Sequence, residues 1–176
     1  MIEVEFDAGE DWDSRIGWAD LAREAVLAAV RQSEASHLLD GPSSTEVSVK
    51  FTSDAEVRAL NAAYRNKDKA TNVLSFPMVE HELLSSIGHS GAAEILLGDI
   101  VLAHGVCASE AAAKRIAVET HASHLVVHGT LHLLGYDHEE GDAEADEMEE
   151  AERAALASLG ISDPYAITEV QTHLDA

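Results

Sequence analysis

The sequence predicts an α+β or α/β domain in which one small sheet packs on helices. Three observations predict it. Strand-type and helix-type apolar patterns succeed one another in the first hundred residues. Helical patterns then dominate. The segment that ends near Leu134 is apolar on most of its sides, the mark of a buried helix. With 176 residues, 46% of them hydrophobic and 25% charged, the chain can bury one core without disulfide or metal staples.

The elements follow in chain order. Ile2–Phe6 alternates apolar with acidic residues and predicts a short strand. Gly17–Ala35 places Trp18, Leu21, Ala25, Leu27, Ala28 and Val30 at helical spacing. Leu38–Ser44 contains Gly41-Pro42 and reads as a loop. Glu46–Thr52 sets Val47, Val49 and Phe51 on one side of a strand. Ser53-Asp54-Ala55-Glu56 is a capping box, opening a helix that runs to Tyr64 or Arg65. Thr71–Phe76 is β-rich and stops at Pro77, and Met78–Ala92 lacks periodicity and reads as a loop. Ile95–Ala103 is apolar around Gly98-Asp99, a buried strand with a bulge at the glycine. Glu110–Leu134 reads as one long helix, and Glu139–Leu159 as another, closed by Gly160. Asp163-Pro164 begins a tail with no element assigned.

Composition narrows the function classes. The first residues, Met1 to Phe6, are acidic and lack the apolar run of a signal peptide, and no apolar stretch reaches the length of a membrane span. Neither secretion nor membrane contact is expected, and the lack of an intrachain disulfide fits a reducing compartment. Cys107, the single cysteine, reads as a small buried residue. The formal net charge is −22, from 33 acids against 11 bases, which repels polyanions at long range. The charge is uneven. Nine of the fourteen residues from Glu139 to Glu152 are acidic, a solvated helix face or a lure for a basic partner. Lys50, Arg58, Arg65, Lys67 and Lys69 form a local basic edge.

The most specific feature is His128-Gly129-Thr130-Leu131-His132-Leu133-Leu134-Gly135-Tyr136-Asp137-His138. Residues four apart share one helix face, so His128 and His132 can aim at one point. Gly135 can take a left-handed conformation that ends the helix, and the following turn can return His138 to the same face. Three imidazoles with one open position are the pattern of a catalytic zinc site, although nickel, copper and iron accept the same ligands. Zinc proteases share this spacing, but with a glutamate after the first histidine as general base. Here that residue is Gly129, which cannot take a proton. His124, on the same face, is either an outer partner of the site or a hydrogen-bonded core histidine. Asp137 either orients a ligand or is solvated. Asp99 within a strand calls for a structural hydrogen bond. Lys67 and Lys69 are either contacts to a negatively charged ligand or plain solvated charges.

HGTLHLLGYDH followed by DAEADEMEEAE resembles the YbeY-type endoribonucleases, the rRNA maturation factors. Two further blocks agree in order: Leu60-Asn61-Ala62-Ala63-Tyr64-Arg65-Asn66-Lys67-Asp68-Lys69-Ala70-Thr71-Asn72-Val73-Leu74-Ser75-Phe76-Pro77, and Leu97-Gly98-Asp99-Ile100. The blocks span about residues 46 to 159, and Ala70 stands where the family often has proline. The resemblance implies an α+β fold, a small mixed sheet packed around a central helix that carries the histidines. It implies a single metal-dependent endoribonuclease domain over 1–160, with 161–176 a C-terminal tail. His128, His132 and His138 would bind one Zn2+ per chain, and Arg65 and His128 would be the catalytic residues, Arg65 acting on the phosphate. The implied substrates are single-stranded RNA and the ribosomal RNA precursor, and the implied roles are rRNA maturation and ribosome quality control in the cytoplasm. Ribosomal proteins or assembly factors are further candidate partners. The general base stays open: a metal-activated water or the RNA's own 2′-hydroxyl would attack. A second reading makes the protein a ribosome-assembly adaptor with a structural zinc, and a third a zinc metalloprotease.

Overall fold

Alternating side chains in four strands build the frame of the molecule. The computed structural model describes residues 1–84, 86, 94–137 and 141–164. Strands β1 (Ile2–Ala8), β2 (Ser44–Thr52), β3 (Val73–Pro77) and β4 (Glu94–Ala103) form one sheet in the order β1-β2-β4-β3. β1 and β4 both run parallel to β2, and β3 lies antiparallel on β4 at one edge. The sheet is mixed, as expected. Val47, Val49, Phe51, Leu97, Ile100 and Leu102 turn into the core, each at most 2% exposed.

The helices are α1 (Trp18–Arg31), α2 (Asp54–Arg65), the single turn α3 (His81–Leu84), α4 (His104–Lys114), α5 (Val118–Leu133) and α6 (Asp142–Ser158). α5 is the central one, packing on α1, α4, α6, β3 and β4. Its Ala122, Leu125, Val126, Val127, Leu131 and Leu133 are all buried, so its apolar surface meets protein on nearly every side. α2 lies on the opposite face of the sheet. There Val57 and Leu60 close a smaller cluster with Leu74, Val101 and Ala103.

The long helix expected over Glu110–Leu134 is two helices. α4 stops because Arg115 adopts a left-handed conformation (φ 59°), and the Ile116 amide donates to the Ala111 carbonyl. No glycine or proline stands at the break, so the usual helix-ending residues do not mark it. Packing of α4 and α5 on each other sets it. A 3-10 turn at Ser36–Leu39 overlaps the start of the loop expected over Leu38–Ser44, and α3 sits within the expected loop 78–92. β1, β2 and β4 run longer than predicted, and β3 includes Pro77, which an edge strand tolerates. The bulge is where the glycine predicted it: Glu46 pairs with Leu96 but Val47 with Gly98, so Leu97 is the extra residue. Gly160, at φ 77°, closes α6 as expected. The predicted start of that helix, His138, and the tail beyond Pro164 lie outside the described residues.

Candidate metal centre and phosphate site

α5 carries His128 and His132 one turn apart, on the side of the helix that faces β3. The helix then stops. Gly135 takes φ 97°, its amide donates to the His132 carbonyl, and the Tyr136 amide donates to Leu131. This is the glycine-closed terminus the sequence predicted. The turn also presents the Tyr136 carbonyl, which lies 2.9 Å from His132 Nδ1. His128 Nδ1 lies 2.6 Å from Glu152 Oε1.

These partners decide the tautomers. A backbone carbonyl only accepts, and so does an ionised carboxylate. Both Nδ1 atoms therefore donate, which leaves each Nε2 as the nitrogen that can bear a lone pair. Those two Nε2 atoms face each other at 3.0 Å. Two lone pairs at that distance call for a proton or a metal ion between them. Nitrogens about 2.0–2.1 Å from a tetrahedral zinc lie roughly 3.3 Å from each other, close to this spacing. The pair thus fits a metal ion. The third predicted ligand, His138, lies outside the described residues. Among the described residues no group of three or more His, Cys, Asp or Glu side chains is arranged for a metal.

A cavity of 670 Å³ joins the pair to Arg65. His128, His132 and Asp137 line one side, Asn72, Val73 and Ser75 another, and Arg65 the rim. Arg65 is the last residue of α2, which ends as Asn66 turns left-handed (φ 57°). Its Nη2 donates to the Ser75 carbonyl on β3, and its guanidinium carbon lies 5.5 Å from the centre of the Phe76 ring. Residues 63 positions apart in sequence are thus brought to one cavity, with a fixed positive charge beside the imidazoles.

The comparisons with known proteins point the same way. The family model "Endoribonuclease YbeY" matches residues 10–160. A protein of that name from Rhizorhabdus wittichii is 57% identical over 169 residues, covering 96% of this chain and 99% of its own. Its namesake from Sphingopyxis alaskensis is 51% identical, covering 94% and 98%. The chain belongs to the endoribonuclease YbeY family. The solution structure of TM1509 from Thermotoga maritima, 21% identical, matches with a TM-score of 0.52 over 90% of this chain and 91% of that one, a likeness of fold. The match to the YbeY family reaches well before residue 46, where the sequence motifs begin.

One residue of the site escaped the sequence reading. Glu152, counted there among the solvated acids of α6, is 1% exposed and points inward. Its Oε1 meets His128 Nδ1, and its Oε2 lies 3.0 Å from His124 Nε2. Burial favours the protonated acid, but the hydrogen bonds from His124 and His128 outweigh it and hold the carboxyl well below the usual range. His124 is accordingly an outer partner of the site. His121, two turns before His128, is buried and hydrogen-bonded to Glu110, which also accepts from Asn72 at the cavity wall. Asp99 departs from expectation: it faces outward, exposed, and needs no structural partner. Cys107 is buried as expected, and burial pushes its thiol up to about 12.

Proposed function

We propose that this chain is a metal-dependent endoribonuclease that cuts single-stranded RNA during ribosomal RNA maturation, with His128, His132 and His138 holding one Zn2+ and Arg65 holding the phosphate. Family membership supports the endoribonuclease activity. The observation that carries the metal reading is the pair of lone-pair nitrogens 3.0 Å apart, opening on the cavity that Arg65 rims.

A divalent ion bound there would polarise a phosphoryl oxygen and lower the pKa of water towards ~7. The chain's own residues do the rest. Glu152 accepts the Nδ1–H of His128, which keeps Nε2 available and fixes the ring. The Tyr136 carbonyl does the same for His132. The Arg65 guanidinium, always charged and planar, grips a phosphate and opposes charge that builds on it in the transition state. Gly129 argues against a peptidase. A Cβ there would lie 2.9 Å from Ile100 Cγ2, so any side chain at this position would have to push the Ile100 side chain aside.

No helix among the described residues is long and apolar enough to cross a membrane. The exposed acids of α6 offer a surface to a basic ribosomal protein or assembly factor. The test is cleavage of defined single-stranded and duplex RNA, with metal content measured on the same preparation. Near-stoichiometric zinc and selective cutting of the single strand are expected. Chelator-resistant cleavage by metal-free protein would overturn the reading.

A further inference from the structure

A second cavity, of 750 Å³, opens on the other face of the sheet and touches the first at Pro77. Its floor is a row of cross-strand neighbours, in which Ser48 pairs with Glu5 on one side and Asp99 on the other, and Asp99 with Phe76. Tyr64 of α2 forms one wall, its ring 5.6 Å from that of Phe76 at 66°. Tyr64 is 70% exposed and Met78, also lining the groove, 62%. We propose that this groove seats one unpaired base of the RNA strand, with guanine preferred, next to the phosphate held at Arg65. The inference rests on RNA being the substrate.

Three observations carry it. The first is shape and chemistry. The exposed Tyr64 ring, with the Phe76 ring and Met78 beside it, suits a flat π-system, and aromatic platforms are how proteins take single-stranded bases. The second is charge. Glu5, Asp7, Glu56 and Asp99 surround the groove, and its one lysine, Lys50, is paired with Glu56 at 2.6 Å. Such walls repel phosphate and admit a neutral base. The Asp99 carboxylate, exposed on the floor, has no hydrogen bond or ion pair to another described side chain. Two carboxylate oxygens match the adjacent N1–H and N2–H donors that guanine alone presents on its pairing edge. The third is continuity. Arg65 rims the histidine cavity while its guanidinium lies over Phe76, whose ring lines the groove. A strand whose phosphate sits at Arg65 therefore has this groove within reach of its next base.

The test uses the full chain without metal, so that nothing is cut. Anisotropy reports its binding to labelled heptauridylate carrying one central guanosine, inosine or abasic residue. The guanosine RNA should bind roughly 10-fold tighter than the abasic one, and Tyr64→Ala should remove most of that difference. Asp99→Asn should make guanosine and inosine equal, because only guanosine has the second donor. Neither variant should weaken the abasic RNA. Tyr64 is exposed and Asn is isosteric with Asp, so both should melt as wild type does. Absence of binding by the intact chain, guanosine affinity unmoved by both variants, or an equal loss on the abasic RNA would each overturn the proposal. The second of these would leave the groove to a protein partner. Cleavage and metal content of His128→Ala test the catalytic reading separately, so either can fail alone.

Discussion

Each side chain of the site has a separable job. His128→Ala and His132→Ala should each lose bound metal and RNA cleavage together, as elemental analysis and a single-strand assay would show. Arg65→Ala should retain the metal and lose roughly 10²-fold in rate, the scale of one oriented donor to transition-state charge. Undiminished cutting by that variant would remove Arg65 from the mechanism. Glu152 acts one bond further out. Glu152→Ala leaves His128 Nδ1 and His124 Nε2 without their buried carboxylate, and metal affinity should fall about 10- to 100-fold in a competition titration. The two described histidines were legible in the sequence because helical spacing and a stop glycine are local facts. Glu152 was not. It lies 24 residues from His128, inside a run of like acids, and only the packing of α6 on α5 separates the one buried carboxylate from its solvated neighbours. Arg65 was marked by the family's motif alone, since its meeting with the histidines depends on how β3 pairs with β4.

At the level of elements, two glycines, Gly98 of β4 and Gly129 of α5, make room by their missing side chains for the packing of β3, β4 and α5. Gly98 has φ 148°, and a Cβ there would run into the Phe76 carbonyl oxygen and the Leu133 side chain. Gly98→Ala should therefore destabilise the fold by more than ~1–3 kcal/mol, the usual cost of overpacking, read as a shift in the urea midpoint. It should also disturb Phe76 and with it Arg65. Most strands and helices were readable because each keeps its own period: two for Val47, Val49 and Phe51, near 3.6 for α1 and α2. The break at Arg115 was not readable, because no glycine or proline announces it. The outward direction of Asp99 was hidden by the bulge, which shifts the alternation of β4 by one residue.

The molecule as a whole carries a built-in response to acid. Burial lowers the pKa of His121 from its ordinary 6.5, against the opposing hydrogen bond to Glu110, with Lys114 and His124 lowering it further. The native state keeps this ring neutral while the unfolded chain takes up a proton. Below about pH 6.5 the unfolded state binds more protons, so stability must fall as pH falls. Chelator-treated protein should lose Tm as pH falls below about 6.5, and His121→Gln, which can still donate to Glu110, should flatten that part of the curve. A Tm slope that His121→Gln leaves unaltered would assign the effect to other groups. The turn at Gly135 has a kinetic side as well. The same few atoms reverse the chain and orient the His132 ring through the Tyr136 carbonyl. Opening of that reversal would turn the ring away from the cavity, so exchange of the Gly135 and Tyr136 amides should slow when an ion is bound there.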